Sequence, residues 1–235
     1  MNSLFIITSA IHTSYGKCSK KERVLQTKET IESIKKRVPN SSLVLLDCGE
    51  KSIEKNLFDC EIVDYTKNQK IQFHLNDYLN DNTDIEPDII IKSMLEIMIC
   101  EDYLKKIDRN KYLRIFKISG RYKLNSKFNY HRHLKAKNKV IILPPYESQH
   151  LYNFNVNVSP LQYMTRLWSF DSSLLPEIIN TYSKMREEIL KISKSKKQGD
   201  IEHLLYKHIK KKYVEHIETI GLEGYWAPLK LWIKE

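Results

Sequence analysis

Two strand-length apolar runs with a capped helix between them open the chain and limit what it can become. Leu4 to Thr8 is apolar over the length of a strand and ends in the polar stretch Thr8-Ser9, followed by Ile11-His12-Thr13-Ser14-Tyr15-Gly16. Ser19 and Glu22 then stand at capping-box spacing, and Val24, Thr27, Ile31, Ile34 and Val38 recur at helical intervals until Pro39-Asn40 stops the pattern. Lys35, Lys36 and Arg37 fall in the last turn, where the helix dipole favours cations. Ser42 to Leu46 is a second apolar run, ending at Asp47-Cys48-Gly49. Strand, helix, strand predicts the start of a parallel α/β sheet, in which ligands sit beyond the carboxyl ends of the strands. Thr8, Ser9, His12 and Asp47 fall at those ends.

Further along, Leu113-Arg114-Ile115-Phe116-Lys117-Ile118-Ser119-Gly120-Arg121-Tyr122-Lys123-Leu124 has the aliphatic content of a central strand yet carries charge. In a continuous strand Lys117, Ser119 and Arg121 share one face, and Gly120 lets a ligand or another backbone come close. Such a strand would deliver Lys117 and Arg121 to an anion; the alternative is an edge strand whose basic residues are solvated.

The remaining elements follow from pattern. Glu61 to Asp64 predicts a short strand, and the Asn- and Asp-rich stretch from Asn68 to Glu86 a long loop. Pro87 suits a helix start, with Ile91, Met94, Leu95, Met98 and Leu104 on one face through to Ile107. His131-Arg132-His133 has no Cys or carboxylate near it in sequence and suits a solvated basic loop. Strands are predicted at Val140 to Leu143, Asn153 to Val158 and Leu161 to Phe170. A helix capped by Asp171 or Ser172 carries Leu175, Ile178, Tyr182, Met185, Ile189 and Ile192. Lys191 to Gly199 is a basic connection, and a last clear helix opens at Gly199 or Asp200 and runs through Ile209. Asp200 and Glu202 in its first turn suit the helix dipole, or supply a general base to a cleft. The glycine- and aromatic-containing tail Ile220 to Pro228 would close over a ligand or latch the C-terminal segment.

Composition frames this pattern. At 235 residues and 41% hydrophobic content the chain can build one core, so a single domain is expected. Thirty-nine Lys and Arg against 29 Asp and Glu give +10, which favours polyanionic partners without choosing among them. Cys18, Cys48, Cys60 and Cys100 form no Cys-x-x-Cys pair, which argues against a zinc or redox motif and suits reduced thiols in the cytoplasm. No apolar run is long enough for a transmembrane segment, and the N-terminus lacks the pattern of a signal peptide, so work at a membrane would be peripheral. Walker, Gly-x-Gly-x-x-Gly, His-Glu-x-x-His and Gly-x-Ser-x-Gly motifs are absent.

Taken together, Ile6-Ile7-Thr8-Ser9, the helix with Arg23, Gln26-Thr27, Thr30-Ile31 and Ser33-Ile34, the stretch Phe116 to Tyr122, and Glu202-His203 in a late helix resemble small GT-A-type glycosyltransferases of the kind found in viral and bacterial genomes. The resemblance implies an α/β, single-domain, GT-A-like (Rossmann-related) mixed sheet flanked by helices over residues 1–235. Residues 1–125 would form a nucleotide-sugar-binding half and 126–235 an acceptor-side half. It implies a hexosyl- or deoxyhexosyltransferase acting in the cytoplasm, that of the host if viral. Donors would be UDP-, GDP- or dTDP-sugars, and acceptors a glycan, a protein or a lipid-linked saccharide. By the same resemblance Thr8, Ser9, His12 and Arg23 lie near the nucleotide, and Lys117, Ser119, Gly120 and Arg121 near the diphosphate. Glu202 is the candidate base, with Asp200 and His203 as its rivals. Many such enzymes hold a divalent metal with Asp-x-Asp where this chain reads Ser119-Gly120-Arg121. Transfer with no required metal is therefore expected, although Asp77, Asp81 and Asp84 leave room for an ion such as manganese. Inversion is the expected route, with retention as the alternative because no sequence feature fixes the stereochemistry. A nucleic-acid-binding module, using Lys117, Arg121, Arg132 and the Lys191 to Lys197 stretch, is the competing reading, with a transferase acting on modified DNA between the two.

Overall fold

A computed structural model describes residues 2–14, 18–81, 88–148, 160–194, 199–226 and 231–235. Strand β1 (Asn2–Ser9) leads to helix α1 (Lys20–Arg37). The predicted capping box forms: Ser19 N donates to Glu22 Oε2 at 2.6 Å, and the Ser19 hydroxyl accepts from Glu22 N at 3.3 Å. Strands β2 (Ser42–Asp47) and β3 (Glu61–Asp64) follow as expected.

The predicted loop from Asn68 is instead helix α2 (Gln69–Asp81). Asn68 Oδ1 accepts from Ile71 N at 3.2 Å at the helix start, and Ile71 and Tyr78 are buried, with Leu75 and Leu79 packed against the same core. The Asn and Asp residues that obscured the period occupy the positions between. Helix α3 (Asp88–Leu104) matches its apolar stripe; Pro87 and Asp84 lie outside the described residues.

Strand β4 (Tyr112–Ser119) ends sooner than the sequence suggests. Gly120 and Arg121 turn the chain, and β5 (Tyr122–Leu124) joins a different sheet. Helix α4 (Tyr130–Lys135) replaces the expected basic loop and buries His133. Strands β6 (Val140–Ile142), β7 (Tyr146–Glu147), β8 (Leu161–Gln162) and β9 (Leu167–Asp171) come next. The single strand expected over Leu161 to Phe170 is thus two, in separate sheets, and the strand expected over Asn153 to Val158 lies outside the described residues. Helix α5 (Leu175–Lys194) follows a 3-10 turn in which Asp171 accepts from Ser173 N at 3.0 Å. Of the basic connection after it, residues 195–198 also lie outside the described set. Asp200 caps helix α6 (Ile201–His208), and β10 (Val214–His216), β11 (Leu222–Trp226) and β12 (Leu231–Lys234) complete the order. Of the tail expected to cover a ligand or latch, Leu222–Trp226 is strand β11, and Ala227 and Pro228 lie outside the described residues.

Among the described residues seven strands form one mixed sheet in the order β10-β6-β9-β4-β1-β2-β3, with β9 antiparallel to both its neighbours. Helices cover both faces. Leu4, Ile6, Val44 and Ile115 pack against α3, α5 and α6, while Phe5, Ile7, Leu45 and Phe116 pack against Ile31 and Ile34 of α1. This is the alternation expected of strands buried on both sides. A second sheet, β12-β11-β5, lies beside α1: Thr30 Oγ1 donates to Tyr122 O at 2.7 Å and Leu124 N to Ser33 Oγ at 2.9 Å. No helix among the described residues is long and apolar enough to cross a membrane.

Candidate active site

The parallel strands β3-β2-β1-β4 place a topological switch between β1 and β4. The chain leaves β1 through α1 toward β2, whereas it enters β4 from α3 on the opposite face. The strand order therefore reverses at β1, and the carboxyl ends of β1 and β4 border the switch-point crevice at which α/β sheets bind ligands. Gly120 N donates to Thr8 O at 2.9 Å and Thr27 Oγ1 to Gly120 O at 3.2 Å, closing the floor of this crevice. A Cβ at residue 120 would stand 3.1 Å from Thr27 Oγ1 and 3.3 Å from Thr8 O, so glycine permits the close approach.

On the α3 face a chain of polar contacts runs away from the crevice. Thr8 Oγ1 donates to Glu96 Oε1 at 3.4 Å, and Glu96 forms an ion pair with Lys117. Lys117 Nζ also donates to Thr165 O at 3.0 Å, and Thr165 Oγ1 donates to Glu202 Oε1 at 2.8 Å. Burial raises the Glu202 carboxyl to about 7, and the nearby Asp200 carboxylate adds to the shift against the Thr165 bond. Asp200 is occupied locally: its Oδ1 accepts from His203 N at 2.8 Å and meets His203 Nδ1 at 2.7 Å. The Glu202 side chain joins the network that leads through Thr165 and Lys117 to β4. The Tyr146 hydroxyl, in the Glu202 field, is pushed upward, chiefly by burial.

Lys117 and Arg121 do not act as the pair that a continuous strand would make. Lys117 and Ser119 point to the α3 face, and Glu96 already balances the buried ammonium. Arg121 sits in the turn after β4, half-buried, with its guanidinium 5.8 Å from the Tyr122 ring and no ion pair among the described residues. Arg166 comes within 5.6 Å of the same ring and pairs with Glu235.

The other predicted positions brace the loops of the crevice. Ser9 Oγ meets Thr27 Oγ1 at 3.3 Å. Arg23 Nε donates to Cys18 O at 3.0 Å, and its Nη1 to Ala10 O at 3.4 Å. Asp47 accepts from Ile11 N at 2.9 Å and Gly49 N at 3.3 Å, and burial raises its carboxyl to about 6. His12 is held below its ordinary value by desolvation, with Lys20 and Lys51 adding to it. Glu96, Thr165 and Arg166 escaped the sequence reading. Glu96 interrupts the apolar run of α3, and that interruption is the signal that would have found it.

The end of β4 offers a hydroxyl, a glycine and a guanidinium rather than carboxylates, a donor set that does not fit a divalent cation. Among the described residues no three His, Cys, Asp or Glu side chains gather where they could hold one. Asp77 and Asp81 lie on α2, and Asp84 is outside the described set.

No protein-family model matches the chain, and no curated protein matches it. Among solved structures, the apo form of mouse xyloside xylosyltransferase 1 is similar to it at 10% sequence identity, over 92% of this chain and 84% of that one, with a TM-score of 0.46.

Proposed function

We propose that this protein is a glycosyltransferase that moves a sugar from a nucleotide-diphospho-sugar to an acceptor hydroxyl. The observation that carries the reading is the polar chain Thr8, Glu96, Lys117 and Thr165 that ties the carboxyl ends of β1 and β4 to Glu202, a carboxyl that burial raises to about 7. Arg121, without an ion-pair partner among the described residues, sits in the turn that follows β4. A diphosphate needs the cation and an attacking hydroxyl the carboxyl. In the proposed reaction the acceptor oxygen gives its proton to a Glu202 oxygen and bonds to the anomeric carbon from the side opposite the leaving group. The bond from that carbon to the diphosphate oxygen breaks, and the electron pair leaves with the nucleotide diphosphate. Arg121 stabilises the departing charge: a unit pair at about 4 Å and an effective dielectric near 20 is worth on the order of 4 kcal/mol. Lys117, neutralised by Glu96, holds the Thr165 carbonyl, and through Thr165 positions Glu202. No step is assigned to a metal ion, because the donor set at Ser119-Gly120-Arg121 does not suit one.

The basic excess gives less support to a nucleic-acid module, because many cations face acids: Arg132 with Glu215, Arg186 with Glu101, Lys207 with Glu188 and Lys210 with Glu177.

A thermal-shift panel of UDP, GDP, dTDP and CMP, in chelator and in manganese, tests the proposal. One nucleotide diphosphate at 100 times its dissociation constant should stabilise the protein in chelator by about 2.7 kcal/mol, raising the midpoint by roughly 5 to 10 °C. Arg121→Ala should abolish that rise. Silence toward every nucleotide would overturn the reading, and a response only in manganese would overturn the metal-free step.

A further inference from the structure

We infer that the outer face of the β12-β11-β5 sheet, together with α1, is a binding groove for a neutral oligosaccharide, with Trp232 as its stacking platform. Trp232 is 58% exposed, among the most exposed large apolar side chains described. Its neighbour Ile233 is partly buried and packs on the α1-side core, so the strand turns one face inward and Trp232 outward. The register puts Tyr225 directly across from Trp232, and Glu223 across from both Lys234 and Lys123. Trp232, Tyr225, Glu223, Lys123 and Lys234 therefore share the outward face. The inward face keeps Tyr122 and Leu124 buried. At Gly224 a Cβ would lie 2.6 Å from the Tyr122 ring, so the glycine is needed on that inner side.

The groove between this face and α1 measures about 510 Å³ and is lined by Glu29, Lys36, Lys123, Asn125 and Glu223 among others. This lies within the ~300–1,000 Å³ typical of small-ligand sites. A smaller recess sharing Glu29, Lys123 and Glu223 joins it to Trp232 and Arg121. The outer groove thus shares lining residues with the recess beside Arg121, the residue proposed to meet the donor diphosphate.

The chemistry of the lining selects the ligand class. Lys123 Nζ is 5.4 Å from the centre of the Trp232 ring, and lies 3.7 Å from Glu223 and 4.0 Å from Glu29. Cations and carboxylates alternate around the ring, so the groove has little net field for a polyanion. A nucleic-acid platform needs a positive track beside its aromatics, and Glu29 and Glu223 would repel phosphates there. A pyranose ring suits the site: its C–H face covers the indole, while its hydroxyls donate to the carboxylates and accept from the ammonium. The role assigned to this ligand, the acceptor arm of the transfer, rests on the proposed glycosyltransferase reading; the saccharide site itself does not.

Titration of tryptophan emission with maltotriose, cellotriose, xylotriose, chitotriose and mannotriose tests the inference. Of the three tryptophans, Trp168 is buried and Trp232 exposed on the outer face, so loss of the emission change in Trp232→Phe, with binding retained by calorimetry, assigns the signal to Trp232. At least one trisaccharide should give a saturable change. Trp232→Phe should retain binding, and Trp232→Ala should weaken it about tenfold or more by isothermal calorimetry, equivalent to about 1.4 kcal/mol. Failure of all five sugars to bind, unchanged affinity in Trp232→Ala, or saturation by oligo-dT in their place would overturn the inference. Sugar binding without any nucleotide response would uphold the groove and sink the transferase reading instead.

Discussion

At Glu202 the same burial that suits the carboxyl to accept a proton near neutrality also costs stability. Its folded value of about 7 lies above the 4.5 of an ordinary Glu, so the folded state holds this proton more tightly than the unfolded chain. Stability from this group is therefore full below about 4.5 and is lost as pH rises toward 7. Glu202→Gln, which can still accept from Thr165, should stabilise the protein at pH 8 by about 1 to 3 kcal/mol and have little effect at pH 4.5. Melting curves at the two pH values read the stability. Turnover should be lost in the same variant, and kcat/KM of the parent should fall below an acidic limb near 7. Ser169 shows the opposite case, a polar group serving structure alone. Arg114, deeply buried and pushed down to about 10 by that burial, donates through Nε to Ser169 Oγ at 2.7 Å and through Nη1 to Ala136 O at 2.9 Å. The same hydroxyl meets His133 Nδ1 at 2.7 Å, and burial holds His133 at about 3, hence neutral. The Ser169 hydroxyl thus accepts from Arg114 and shares a second hydrogen bond with the neutral imidazole of His133. Ser169→Ala should cost about 2 to 4 kcal/mol, seen as a lower urea midpoint without loss of nucleotide binding. The sequence showed the residue types here but not their partners, which lie 36 and 55 positions apart.

Among the elements, the small sheet hangs on Gly221. Its φ of +79° favours glycine, and a Cβ there would fall 2.2 Å from the backbone of Phe128. Asn125 N donates to Gly221 O at 2.9 Å, which fixes the approach of the two segments. Gly221→Ala should destabilise by on the order of 3 kcal/mol. Amide exchange should quicken in β5 and β11 while β1 and β2 stay protected. Elements held by local chemistry were legible: the capping box of α1, the Asp200 cap of α6 and the apolar stripes of α3 and α5 can each be read within a few turns. Elements decided by distant partners were not. The break after Ser119 exists because Tyr122 to Leu124 finds a better edge at β11 and α1 than at β1, and no local signal at Gly120 distinguishes a pause in a strand from its end. Helix α2 was hidden because its buried stripe of Ile71, Leu75 and Tyr78 is interleaved with residues that favour loops. The candidate site divided the same way. Thr8, Ser9 and Glu202 could be placed from strand and helix ends, whereas the turn at Gly120 depended on the second sheet and the neutralisation of Lys117 by Glu96 on the packing of α3 on β4.

For the whole molecule, the central place of β1 sets the terms on which the chain must assemble. Its two flanking partners come from opposite directions in sequence: β2 follows after α1, but β4 is made roughly a hundred residues after β1. On a ribosome adding about 5 to 20 residues per second, one side of the most apolar strand stays open for on the order of 5 to 20 s. During that interval an unpaired edge of Leu4, Phe5, Ile6 and Ile7 can meet other nascent chains before its own fourth strand exists. Loss of soluble protein should therefore be governed by the rate of synthesis more than by the stability of the finished fold. Slowing initiation or lowering the growth temperature should raise the soluble fraction, and a charged substitution on β4 that blocks its docking should leave a nascent β1-α1-β2 unit captured by chaperones.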